Sequence, residues 1–129
     1  MSIDMKKILL VIFFVYLAFV GYLCFGNTPD GMELPKTFLG IPFDKCVHFS
    51  MFLPFPILGT FAFRGKSYWR TLVVFFFLAI VLAFALELLQ TPLTEGRRAT
   101  DPWDLVANVA GIASGALLMI AGGAVLRCR

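Results

Sequence analysis

The chain has 129 residues, 60% of them hydrophobic and only 15% charged, with a formal net charge of +3. A soluble domain carries about a quarter charged residues, and 15 phenylalanines exceed what so small an aqueous core can bury. With a mean hydropathy of +0.88, the composition excludes a soluble globular domain and leaves one compact membrane bundle.

Four apolar runs are each long enough for a membrane-spanning helix, which takes roughly 20 residues. The first, Ile8 to Phe25, follows Lys6 and Lys7. It is longer than a signal-peptide core and no small-x-small cleavage site follows it, so it reads as a retained anchor. The second, Cys46 to Phe63, contains Pro54 and Pro56, which should kink it below His48 and open a small cavity. The third, Thr71 to Gln90, is apolar except for Glu87 and Gln90 at its end. The fourth, Asp104 to Leu126, follows Asp101-Pro102-Trp103, which reads as a capping aspartate with proline at the first helical position. Asp44, after Pro42, likewise suits an N-cap. Backbone groups in lipid must be satisfied within the segment, which selects helices. The expected fold is all-α, one domain over residues 1–129, built as an integral membrane bundle of four transmembrane helices. Gly26 to Phe43 reads as an irregular connection. Cys24 and Cys46 fall near one membrane face, where a disulfide is one option, and Cys128 falls at the opposite one.

The short loops orient the bundle. With a cytoplasmic amino terminus, the inner side holds Lys6, Lys7, Arg64, Lys66, Arg70, Arg127 and Arg129 against the single acid Asp4. The outer side holds the remaining basic residues with all the other acids. The positive-inside rule favours this arrangement, with both termini cytoplasmic. It also sorts the charge by membrane side, so the net positive charge does not point to nucleic acid.

In that orientation Asp44, Lys45 and His48 share one membrane face with Glu87, Gln90, Arg97, Arg98, Asp101, Asp104 and Asn108. The spacings are helical: Asp44 and His48 at four, Glu87 and Gln90 at three, and Asp104, Asn108, Gly111 and Gly115 at steps of four, three and four. Residues so spaced share a helix face. Gly111 and Gly115 stand in GxxxG spacing, which lets another helix approach closely. An ionised carboxylate within a span costs roughly 2.5–3.5 kcal/mol on insertion scales, less near an interface. Glu87 therefore needs a partner, a proton or a wet cavity.

These motifs, DKxxHF (Asp44, Lys45, His48, Phe49), ExxQ (Glu87, Gln90), a following arginine at Arg97 or Arg98, and DxxxNxxGxxxG (Asp104, Asn108, Gly111, Gly115), resemble those of the VanZ-like membrane proteins. The resemblance runs from about Asp44 to Gly115. It implies a bacterial cell-envelope protein of the inner membrane, linked to glycopeptide (teicoplanin) susceptibility, and it supplies no reaction.

For the polar layer itself, outward helix N-termini and Lys45, Arg97 and Arg98 favour an anion. The expected ligand is an anionic lipid-linked or cell-wall-related molecule, with membrane lipid as the surrounding partner. Asp44, Lys45, His48, Glu87, Gln90, Arg97, Arg98, Asp104 and Asn108 are the binding candidates, and His48, Glu87 and Asp104 are candidate acid–base groups. A metal site of His48, Glu87 and Asp104 is conceivable. One histidine with carboxylates is a weak zinc signature, however, and the lysine and arginines oppose a cation, so no metal or cofactor is expected. The alternative reading is a noncatalytic structural or partner-binding protein whose polar residues clamp the bundle. A transporter is disfavoured because polarity fades towards the inner half.

Overall fold

In a computed structural model, residues 3–26, 37–65, 67–96 and 101–127 are described. Their elements in chain order are α1 (Ile3–Phe25), β1 (Thr37–Phe38), β2 (Ile41–Pro42), α2 (Phe43–Phe52), α3 (Pro54–Ala62), α4 (Tyr68–Leu93) and α5 (Pro102–Arg127). The protein is mostly helical, and among the described residues three helices are long and apolar enough to cross a membrane: α1, α4 and Pro102–Ala124 of α5.

The second predicted span is two helices, not one. Pro54 has no N–H to give the Ser50 carbonyl, and Pro56 has none for Phe52, so the helical ladder loses two rungs with only that of Phe55 between them. Leu53 nevertheless keeps right-handed helical angles (φ −57°, ψ −43°), and its N–H reaches the Phe49 carbonyl at 3.1 Å. α3 therefore continues from α2 instead of folding away.

Other helix ends also extend beyond the apolar runs, because caps set them. α4 begins at Tyr68, after Ser67 accepts a hydrogen bond from the Arg70 N–H at 3.3 Å. It ends in a Schellman turn in which Gly96 N–H meets the Thr91 carbonyl at 2.9 Å and Glu95 N–H meets that of Pro92 at 3.3 Å. Glu95 (φ 54°) and Gly96 (φ 81°) are left-handed there. α5 begins at Pro102, where Asp101 Oδ1 caps the Trp103 N–H at 2.9 Å. Asp44 is not an N-cap: α2 starts at Phe43 after Pro42 without a side-chain cap. That start puts Asp44 inside the first turn, where a carboxylate still complements the positive end of the helix. Ahead of it, β1 and β2 pair antiparallel through a turn at Leu39 and Gly40, both at positive φ, the hand that suits a two-residue hairpin.

The core runs along the bundle interior as Phe13, Val20, Met51, Phe52, Phe55, Ala79, Ala83 and Ile112, all buried. The Phe13 ring meets Phe55 and Phe75 edge-on, with centroids 5.7 and 5.8 Å apart, a favoured aromatic arrangement. Val15, Val81 and Leu117 point outward and are more than half exposed, as lipid-facing residues are when the solvent is itself apolar. Gly111 and Gly115 let α5 lie against the α2–α3 backbone: a Cβ on Gly111 would overlap the Phe49 carbonyl oxygen, and one on Gly115 that of Leu53. Tyr16 on α1 donates its hydroxyl to the Met51 carbonyl just before the break.

Candidate functional site

The amino-terminal turns of α2 and α5 and the carboxy-terminal turns of α4 meet at one end of the bundle. Lys45 is the hub. Its ammonium donates to Asp44 Oδ2 at 2.8 Å, Asp101 Oδ2 at 2.7 Å and Asp104 Oδ1 at 2.5 Å. Three carboxylates around one ammonium gain more than an isolated surface pair, because the side chains of Lys45 and Asp104 are only 17% and 10% exposed.

His48 lies one turn deeper on the same face of α2. Its Nδ1 is 2.9 Å from Asn108 Oδ1, and its Nε2 faces Asp104 Oδ2 at 3.4 Å. Asn108 is 1% exposed and His48 9%. Glu87, from α4, is 4% exposed and accepts the Asp101 backbone N–H at 3.4 Å. One ligand atom from each of His48, Glu87 and Asp104 lies within 4.8 Å of the others, and Asp44, Asp101 and Asp104 form a second such group around the ammonium. The cluster thus sets Asp44, Glu87, Asp101 and Asp104 against Lys45 and His48.

Gln90 is not brought into this layer by any described hydrogen bond. Its Nε2 donates to the Cys24 carbonyl at 3.1 Å, tying α4 to the end of α1, and its Oε1 is buried without a hydrogen-bond partner among the described residues. Arg97 and Arg98 lie outside the described residues. Asp101 does more than the capping the sequence suggests. One oxygen caps α5 while the other holds Lys45, and the i, i+3 pairing of Asp101 with Asp104 ahead of an apolar run is the signal that marks it. The Lys45 ammonium, followed by the Trp103 N–H, holds the Asp101 carboxyl below the ordinary carboxylate range.

The opposite face of α2 lines an apolar cavity of about 540 Å³, bounded by Phe43, Cys46, Val47, Ser50 and Met51, by Pro54, and by Tyr16, Phe19, Val20 and Leu23 of α1. It lies beside the proline break. Cys24 and Cys46 are not joined by a disulfide; Cys46 lines the cavity, and Cys24 is buried with its sulfur 3.9 Å from that of Met51.

No family model, curated protein or solved structure matches the chain. The motif residues read from the sequence supply the Lys45–His48–Glu87–Asp104 cluster.

Proposed function

We propose that this is a VanZ-like protein of the bacterial inner membrane that recognises an anionic, lipid-linked envelope molecule at its polar end. In this reading α2 and α3 together make the fourth span, both termini are cytoplasmic and the polar end is extracytoplasmic. The observation that carries it is the double role of α2. One face lines a 540 Å³ apolar cavity, and the other presents Lys45 and His48 to the carboxylates and amide of α4 and α5. A lipid chain lying in the cavity sets its headgroup at the amino-terminal end of α2, where helix N-termini favour anions. His48 with Glu87 or Asp104 supplies acid–base groups there. Teicoplanin susceptibility is the phenotype to which such recognition would be linked.

The test is native mass spectrometry of the purified chain with a polyprenyl phosphate, alongside drug susceptibility and membrane abundance. Val47→Trp, which fills the cavity, should remove the lipid adduct while abundance holds. Lipid binding indifferent to Val47→Trp defeats the proposal.

A second reading is favoured by a specific observation, the saturation of Lys45 by three carboxylates. There the polar layer clamps α2 to α5 and has no ligand. His48→Ala and Glu87→Gln separate the two: lost phenotype at normal abundance supports recognition, and lost protein supports the clamp.

A further inference from the structure

We infer that the end of the bundle opposite the polar layer carries a binding site for an anionic phospholipid, seated on the seam between α1 and α3. The bundle sorts its charge by end. Cys24 in the last turn of α1 meets Gln90 in the last turn of α4, so both helices start at the other end. α3 continues from α2 and runs there too. At that end Lys6 and Lys7 of α1, Arg64 after α3 and Arg70 in the first turn of α4 are all exposed. None of the four is ion-paired with a described residue. Among the described residues Asp4 is the one acid at this end.

The cations stand over an apolar seam. Phe63, next to Arg64, packs its ring against Phe13 and Phe14 of α1, with centroids 5.4 and 6.4 Å away. Lys6 and Lys7 precede those two rings by seven residues each, which is two helical turns. They therefore share the face of α1 that meets α3, and lie about 10 Å nearer the end of the bundle. Val11 falls between Lys7 and Phe14 on the same stripe, and Val11, Phe14 and Phe63 are 63%, 58% and 41% exposed. An acyl chain along these three residues brings its phosphate to Lys7 and Arg64.

The neighbouring aromatics set the depth. The Tyr68 hydroxyl donates to the Met119 carbonyl at 2.6 Å, and its ring meets that of Trp69 edge-on at 5.2 Å. Tyr and Trp gather at the level of lipid headgroups, and Arg64 and Arg70 flank this pair in sequence. Lysines that only reach for water would serve any headgroup. Four cations with one acid select a negative one, by about fivefold in affinity for each charge. The continuity of the charge with exposed phenylalanine and valine selects a lipid over a free anion or a nucleic acid, neither of which has a chain to lay there. The inference is independent of the reading of the polar end, whose residues lie at the far ends of the same helices.

The test is native mass spectrometry of the full chain released from mixed micelles holding phosphatidylglycerol and phosphatidylcholine in equal amounts. Phosphatidylglycerol should be retained at least tenfold better. Lys7→Gln combined with Arg64→Gln should abolish that preference, Phe14→Ser should weaken it several-fold and Asp4→Asn should strengthen it. Val47→Trp, at the cavity on α2, should leave it unchanged, which separates this site from the lipid proposed at the polar end. Inorganic phosphate in about tenfold excess over the lipid should not displace it. Equal retention of the two lipids overturns the inference, and so does a preference that survives the double variant. Displacement by inorganic phosphate would reveal a site for the anion alone and overturns the assignment to a lipid. Should the double variant lose its unfolding transition, the wild type decides: the preference should collapse as ammonium acetate is raised, and a preference indifferent to salt overturns the site.

Discussion

Lys45 Nζ donates to Asp104 Oδ1 at 2.5 Å, joining the first turn of α2 to the first turn of α5 across 59 residues of sequence. Both side chains are largely withdrawn from solvent, so the pair cannot be opened from one side cheaply. Lys45→Met leaves Asp44, Asp101 and Asp104 facing one another and should destabilise the detergent-solubilised protein by about 3 kcal/mol. Asp104→Asn, made alone and in combination, should reveal a coupling energy of at least about 1 kcal/mol. Additive losses in the unfolding midpoint would show the pair to be incidental.

The glycine face of α5 is equally open to measurement. Gly111→Ala drives a methyl into the Phe49 carbonyl oxygen, and the helices must separate. A loss of about 1–3 kcal/mol is expected. Gly122→Ala meets nothing within 4 Å on the same helix and should be neutral or slightly stabilising, since alanine is the better helix former.

Asn108→Ala removes the oxygen facing His48 Nδ1 in a setting that is 1% exposed. The unpaired imidazole should cost about 1–3 kcal/mol, and the ¹⁵N resonances of His48 should move. Resonances unchanged in the variant would mean that the amide does not set the tautomer.

Asp101 gives the layer a pH signature. Lys45 and the Trp103 N–H hold its native pKa below the unfolded value, and His48 adds to this. Its contribution is therefore fully present above the unfolded value of about 3.9 and lost as pH falls through the lower native value. The gap in unfolding midpoint between wild type and Asp101→Asn should be constant above about pH 5 and shrink below about pH 4. A gap that grows on acidification contradicts the ion pair.

Cys46 borders the cavity while Cys24 is 3% exposed. N-ethylmaleimide should label Cys46 before Cys24 in detergent, and an occupying lipid should slow the labelling of Cys46. Peptide mapping reads both rates; equal labelling of the two thiols would mean that the cavity does not admit small molecules.

The helices and their polar end were legible because lipid imposes one strong rule, long apolar runs ending in charge. α1, α4 and α5 follow from it directly, and the prolines at 54 and 56 announced a disturbance in the second run. What they do to it, two helices that keep one direction, depends on Leu53 holding helical angles against the glycines of α5, a tertiary effect. The role of Asp44 was misread because a cap is decided by a one-residue difference in where the helix starts. Thr91 to Gly96 carried a stop signal in its glycine that became readable only with its hydrogen bonds. Helical spacing grouped His48 with Lys45 and Asp104 with Asn108. It could not tell that Lys45 would be shared among three acids, nor that Gln90 would bond to the Cys24 carbonyl.

The bond from the Asp101 N–H to Glu87 links residues only 14 apart and clasps the turn between α4 and α5. Local contacts of this kind form early, so these two helices can pair as a hairpin as soon as both exist. Chain order makes α2 first, however, and Lys45 and His48 leave the ribosome well before any carboxylate of α4 or α5 is made. Lys45 lies in the first turn of its helix, where a long ammonium side chain can reach water while it waits. Biogenesis thus has a vulnerable interval at this residue, and the late arrival of the hairpin ends it.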